Sequence, residues 1–246
     1  MMNKNKTVNA AILIIGNEIL SGRTQDSNTS FIAKWLNERG IQLKEVKIIP
    51  DELNIIVSSV NLLRKKYNYL FTTGGIGPTH DDITALAISK AFNKKYEYNK
   101  EAYQILKKHY EDSYFNEARK KMAKMPSGAK LIYNPSSSAP GFYVKNVFTL
   151  PGVPTILQSM MSFVEQLIVG GEKMYTVTVQ AHLPESKIAK DLGKLQKKFK
   201  DLSLGSYPFF QSGKIGTALV IRGYPEKRIQ KCKIILEKIL KKIKKS

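Results

Sequence analysis

Along the first half of the chain the apolar positions switch repeatedly between strand-like and helix-like spacing. Val8 to Ile15 is an apolar, β-branched run of strand length, and a polar turn from Gly16 to Ser27 follows it. From about Asn28, residues Phe31, Ile32, Trp35 and Leu36 share one helical face, and Gly40 closes that helix. Ile41 to Ile49 alternates as a second strand. Pro50 and Asp51 then open a helix whose apolar positions Ile55, Ile56, Val60 and Leu63 keep the 3.6-residue period. Tyr69 to Thr73 reads as a third strand and Asp82 to Phe92 as a helix. Lys100 to Lys124 predicts a charged, amphipathic helical region broken near Asp112 and Ser113. Short strands are expected at Leu131-Ile132, Phe142 to Val144 and Val147 to Leu150, with Lys145-Asn146 as a tight turn, and Pro151 to Pro154 leads into a helix ending near Ile168.

Alternation of this kind writes a mostly parallel sheet covered by helices. Gly170-Gly171 marks a change of pattern. Strand Tyr175 to Ala181, helix Glu185 to Lys198, strands near Leu202 to Tyr207 and Gly216 to Arg222, and helix Pro225 to Lys244 give the order β-α-β-β-α. The expected organisation is therefore an α/β domain over 1–170 and a small, basic α+β domain over 171–246.

Composition changes this picture in three places. With 42% hydrophobic and 24% charged residues among 246, the chain has the makeup of a folded globular protein. Its one cysteine, Cys232, allows no internal disulfide, CxxC motif or thiolate zinc cluster, and reads as a small buried apolar residue; a cytoplasmic setting is the default. No run approaches the ~18 apolar residues of a membrane span, and the start of the chain reads as strand one rather than a signal peptide, so no membrane partner is expected. The net charge of +20 is concentrated in Lys173 to Ser246, where 18 basic face 5 acidic side chains. Such a face can attract a polyanion or can be a solvated lysine-rich surface. The basic residues are not interleaved with aromatics and carry no nucleic-acid motif, so nucleic acid is not the expected partner.

The chemistry-bearing string is TTGGIGPTHDDIT, Thr72 to Thr84, at the carboxyl end of strand three. Thr73, Gly74, Gly75 and Gly77 have the character of a phosphate cradle, because glycine lets backbone N–H groups approach an anion unhindered. Pro78 stiffens the exit, and Thr79, Asp81 or Asp82 can cap the following helix. Two adjacent carboxylates beside an anion call for a cation between them, so Asp81 and Asp82 point to Mg2+ or a similar hard divalent metal, with a monovalent cation as a further candidate. The alternative is a plain capped turn. The string lacks the Walker lysine and is not GxGxxG, and His80 within it is an acid-base candidate or an incidental loop residue. A second polar segment, GNEILSGRTQDSN, follows strand one and supplies Gly16, Glu18, Gly22, Asp26 and Asn28 to the same crevice, with helix capping the alternative for Asp26 and Asn28. Asp51 after strand two is a cap or a site member. LPGVP, Leu150 to Pro154, is a rigid turn in which Gly152 can present backbone amides or simply join two elements.

GNEILSG, the following DSN, TTGGIGPTHDD, SSSAPGF and LPGVP together resemble the N-terminal, molybdopterin-binding-like domain of the competence/damage-inducible protein A (CinA) family, over about Val8 to Ile168. Glu185-Ser186, GSYP at Gly205 to Pro208 and GTALVIRG at Gly216 to Gly223 resemble the small domain that follows it. The resemblance implies a three-layer α/β/α fold and metal-dependent hydrolysis of the pyrophosphate of ADP-ribose or a related nucleotide. It implies Gly74, Gly75, Gly77 and Thr79 as the phosphate or pterin cradle, and Asp51 and Asp82 as positioning residues for metal and water. It also implies a homodimer. The chain ends at Ser246 with no room for the nicotinamide-nucleotide deamidase domain of many members, so no amidohydrolase activity is expected. The expected activity is thus a nucleotide pyrophosphatase with Asp82, Asp51 and Asp81 as its catalytic carboxylates. Pterin binding or adenylyl transfer in the same pocket is the first rival, and a non-catalytic module whose basic domain contacts nucleic acid is the second.

Overall fold

The computed structural model describes residues 7–110, 114–211 and 214–243. The chain divides into two compact units, Met1–Glu172 and Lys173–Ser246. The first is built in the order β1 (Val8–Ile15), α1 (Asn17–Leu20), α2 (Asn28–Glu38), β2 (Ile41–Ile49), α3 (Leu53–Lys66), β3 (Tyr69–Thr73), α4 (Thr84–Ala91), β4 (Tyr96–Tyr98), α5 (Lys100–His109), α6 (Glu117–Lys121), β5 (Lys124–Pro126), β6 (Lys130–Ile132), β7 (Gly141–Val144), β8 (Val147–Leu150) and α7 (Pro154–Glu165). Six strands form one sheet in the order β2-β1-β3-β8-β7-β6. The pairings β1 with β2, β1 with β3 and β3 with β8 are parallel, and β7 runs antiparallel to both its neighbours.

Strand β1 shows why the sheet sits in the middle of three layers. Ala11, Leu13 and Ile15 pack with Ile56, Val60 and Leu63 of α3 and Ala87 and Ile88 of α4. The alternate residues Ala10, Ile12 and Ile14 pack on the other face with Ile32, Trp35 and Leu36 of α2 and Leu157, Met160 and Val164 of α7. A strand buried on both faces has no polar side to alternate with, which is why its sequence is a run.

The second unit comprises β9 (Tyr175–Ala181), α8 (Glu185–Lys198), β10 (Ser203–Gln211), β11 (Lys214–Gly223) and α9 (Glu226–Ile243). Its sheet, β10-β11-β9, is antiparallel. Leu219 and Ile221 bury one face against Ile188 and Leu195 of α8 and Ile229, Cys232 and Leu236 of α9. Cys232 is fully buried, and that burial pushes its thiol up to about 11.

Two expectations need correction here. The region from Lys100 to Lys124 is two helices, α5 ending at His109 and the five-residue α6, but its end is not helical: Lys124 begins β5, which pairs antiparallel with β4. Met125 and Pro126 are buried, and a proline that cannot donate suits this two-stranded edge better than a helix. The proposed break at Asp112 and Ser113 lies outside the described residues. Helix α4 begins at Thr84 rather than Asp82, with Ile83 in the N-cap position and no side-chain cap, so none of Thr79, Asp81 and Asp82 caps it. The Asp82 carboxylate is turned back to Thr79 instead.

Because β1 is covered on both sides, truncations on either face are expected to cost the same kind of energy. Ile12→Ala and Leu13→Ala should each destabilise the first unit by about 2–5 kcal/mol in urea unfolding. A sheet with one solvated face would show that loss for only one of the two.

Candidate functional site

The loops that carry the singled-out residues leave the carboxyl ends of β1, β2, β3 and β8. The Gly16 amide donates to Ile49 O at 3.2 Å, and the Asn17 amide donates to Asp51 Oδ2 at 2.8 Å. Asp51 therefore does not cap α3, whose N-cap is Glu52 without a side-chain bond; it ties the loop after β2 to the start of α1 and brings its carboxyl beside Glu18. Asp26 does the capping its position allows, accepting from the Asn28 amide at 3.0 Å and the Thr29 amide at 3.3 Å at the start of α2. Asn28 has another job. Its Nδ2 donates to Gly152 O at 2.7 Å, which joins α2 to the LPGVP turn, and its Oδ1 is buried with no partner among the described residues.

The glycine loop after β3 is shaped by close backbone approaches. Gly74 has φ +94° and a Cβ there would sit 2.2 Å from Ile15 O, while its amide donates to Leu150 O at 3.1 Å. Gly75 has φ +67° and faces the Thr84 hydroxyl, and its carbonyl accepts from the Thr84 amide at 2.9 Å. A Cβ on Gly77 would meet Asp82 Oδ2 at 2.7 Å. The amides of Gly75, Ile76 and Gly77 make no hydrogen bond among the described residues, the state expected of donors left for an anion. Thr79 differs. Its amide donates to Asp82 Oδ2 at 2.8 Å and its hydroxyl donates to the same oxygen, so this pair closes the turn that begins at Pro78.

Two hollows flank the loop. A cleft of about 370 Å³ is lined by Ile14, Ile15 and Ile19 together with Glu18, Asp26, Asn28, Thr73, Gly74, Gly152 and Pro154. On the other flank, a small hollow with room for about one water molecule is lined by Gly77 and Asp82 with Tyr96, Lys121, Lys124 and Phe142. The structure thus brings Gly16, Glu18, Asp51 and the Asp26 to Asn28 segment to the same mouth as Thr73, the glycines and Gly152. Gly22 stands apart, its φ of +73° serving the turn after α1 with nothing near it.

Residues 11–169 match the family profile described as probable molybdopterin binding domain. The chain belongs to this family. Residues 173–245 match a second profile, the FAD synthase middle domain. A protein of Pyrococcus abyssi is 35% identical over 238 residues, covering 90% of this chain and 93% of its own length. One of Archaeoglobus fulgidus is 36% identical over 197 residues, covering 80% of this chain and 84% of its own. Among solved structures, the CinA protein of unknown function from Thermoplasma acidophilum superposes with a TM-score of 0.61 at 31% identity, covering 65% of this chain and 99% of that one. The likeness to the CinA family thus holds in sequence and in fold for the molybdopterin-binding-like unit.

Electrostatics at the mouth of this unit are dominated by like charge. Burial raises Asp51 above the ordinary carboxylate range, its bond from the Asn17 amide opposes this, and the negative charges of Glu18, Asp81 and Asp82 add to the rise. Asp81 is held low, first by the nearby Thr79 hydroxyl, then by its own amide and the positive charges of His80 and Lys121, although the hydroxyl's hydrogen bond goes to Asp82. Four carboxylates sharing one mouth are a donor set of hard oxygens. Among the described residues no three acidic, histidine or cysteine side chains converge closely enough to cage an ion.

Three residues beside the glycine loop carry no role in the sequence reading: Lys121 and Lys124 fall in the charged, amphipathic helical region and Tyr96 lies outside the elements it predicts, yet all three line the hollow next to Gly77. The Met125-Pro126 and Ser127-Gly128 breaks were the available signal.

Two outcomes follow from the geometry. Gly74→Ala should cost about 2–3 kcal/mol in urea unfolding, because positive φ and a backbone collision combine, whereas Gly22→Ala should cost about 1 kcal/mol from its φ alone. For Asp51, the raised carboxyl makes the native state penalise ionisation, so the penalty is present at neutral pH and disappears as pH falls below the unfolded value of about 3.9. In chelator, Asp51→Asn should melt higher than the parent at pH 7, with the difference narrowing toward pH 3, as read by thermal unfolding.

Proposed function

We propose that the molybdopterin-binding-like unit hydrolyses the pyrophosphate linkage of ADP-ribose or a related small nucleotide. The observation that carries this reading is the partly desolvated Asp51, set among Glu18, Asp81 and Asp82 at the rim of a loop whose amides at Gly75, Ile76 and Gly77 have no partner among the described residues. Carboxylates crowded beside an anion cradle make chemical sense for a substrate that arrives with a cation. Asp82, with Asp81 or Asp51, would hold Mg2+ or a similar ion, which when bound neutralises the charge on the two phosphates.

The chain's own groups then have distinct work. The loop amides hydrogen-bond the phosphoryl oxygens and meet the charge that develops as the bridging bond breaks. Asp51, more basic than an ordinary aspartate, accepts a proton from the attacking water. Water oxygen bonds to one phosphorus, the P–O–P bridge breaks, and a nucleoside monophosphate and a sugar phosphate leave. Asn28 and Gly152 hold the floor of the cleft in place. Gly16, Gly22 and Pro78 shape the loops around it, and a monovalent cation at the phosphates is compatible with the same carbonyl-rich turns. We place this activity in the cytoplasm, in a homodimer acting on small molecules. Among the described residues no helix is long and apolar enough to cross a membrane.

Pterin binding or adenylyl transfer is the second reading, favoured by the family's description and by the apolar Ile14, Ile15 and Ile19 wall that suits a flat heterocycle. Chromatography of the products formed from ADP-ribose and Mg2+ separates the two. Hydrolysis predicts AMP release that drops by about a hundredfold or more in kcat/KM for both Asp51→Asn and Asp82→Asn. Unchanged rates in both variants would defeat the assignment, and pterin binding without AMP release would support the second reading.

A further inference from the structure

We propose that the helix-free face of the second unit's sheet, where the Tyr207 and Phe209 rings lie, is a stacking platform for single-stranded nucleic acid. This platform belongs to the second unit alone and stands or falls independently of the pyrophosphate reading.

Strand register decides which side chains share that face. Leu219 and Ile221 of β11 point to α8 and α9, and Val177 and Val179 of β9 and Leu204 of β10, which are paired with them, pack on the same core. Residues one step along each strand therefore point the other way. On β10 they are Gly205, Tyr207 and Phe209, and on the edge strand β9 they are Thr176, Thr178 and Gln180. Tyr207 is 58% exposed, and the three β9 side chains are exposed as well. Two glycines set how the rings lie. A Cβ on Gly216, the β11 partner of Phe209, would run into the Phe209 ring, and one on Gly205 would sit 3.0 Å from Tyr207 Cε2. Each ring thus leans along the sheet over backbone, covering it with one side and leaving the other for a partner. Two positions apart on one strand, the rings stand about 7 Å from each other, so each can take a base of its own.

Charge is sorted between the faces of this unit. Glu185, Asp191, Glu226 and Glu237 belong to α8 and α9, and Asp201 is paired with Arg228 of α9 at 2.7 Å. These are all the acids of Lys173 to Ser246, so the positions of the open face carry no carboxylate, and Arg222 stands at one end of it. The basic side chains also ride mainly on the helices. Their excess, 18 basic against 5 acidic, gathers a polyanion to the unit, and the rings supply the short-range hold. Thr176, Thr178 and Gln180 offer hydroxyl and amide groups to the edges of bases that reach across β11. A second copy of this face would bring no carboxylate to meet Arg222 and the same excess of positive charge, which makes a polyanion the better occupant. Because the lysines lie on helices and the rings on a strand, the two never interleave along the chain, and the platform exists only once the unit is folded.

Fluorescence anisotropy of the full chain in low salt, with fluorescein-labelled oligouridine and oligothymidine of about 12 nucleotides, tests this. The parent should bind. Tyr207→Leu and Phe209→Leu, which keep an apolar cover over the glycines but remove the ring, should each weaken binding by about fivefold or more, the loss of one base-stacking contact. Tyr207→Phe, which keeps the ring, should stay within about twofold of the parent. Thermal melting confirms that each variant is folded, and Tyr207→Met and Phe209→Met serve if the leucine variants are not. Failure of the parent to bind either oligomer would overturn the platform. So would unchanged affinity in both ring variants, which would place the strand on the lysine-rich helices instead. A dimer in sedimentation that both ring variants dissociate would make the face a contact between copies and overturn it as well. None of these results bears on AMP release from ADP-ribose.

Discussion

The structure depends on one close approach, where the chain leaving β3 crosses the end of β1 with no atom to spare. At Gly74 the space a side chain would need is filled by the Ile15 carbonyl, and the Gly74 amide is held by Leu150 O from β8. Three neighbouring strands thereby end at one place, and every loop that leaves them starts from that point. Parallel strands give their carboxyl ends a common side of the sheet, and this contact sets how near the loops begin. The pairing of Asn17 with Asp51 and of Asn28 with Gly152 extends the same closure outward, so the mouth is built from backbone positions before any charged side chain is considered.

Charge is then laid on that frame unevenly. Glu18, Asp26 and Asp51 gather at the β1 and β2 side and Lys121 and Lys124 on the β4 and β5 side, with Asp81 and Asp82 on the loop between them. A chain of net charge +20 thus sets several of its acids around one mouth. Asp51 shows the tension: its neighbours make ionisation harder, and its bond from the Asn17 amide keeps the carboxyl where those neighbours act on it.

Long-range order in the first unit was legible because the run in β1, the single-face helix α2 and the alternation of β2 are each dictated by burial, and burial is written in apolar spacing. The glycine string was legible for a different reason: positive φ at Gly74 and Gly75 excludes other residues. What could not be read was the use of side chains with two possible partners. Asp82 was suited to cap a helix or to hold a cation, and only the tertiary path of the loop sends its carboxylate to Thr79. Asp51 read as a cap for the helix beside it or as a member of the site, and its carboxylate in fact holds a loop 34 positions earlier. Lys121 ends the helix α6, whereas Lys124 sits in a stretch whose charge spacing continues that helix although it belongs to β5. The β4 and β5 pair rests on three residues a side, too few to show a period of two.

The Asn28 to Gly152 hydrogen bond spans 124 positions of sequence and runs from a buried side chain to a carbonyl on an exposed turn. It makes the two banks of the cleft a single clasp: parting them strips the buried Asn28 amide of its partner. A visiting molecule therefore meets banks that are already fastened to each other before it arrives.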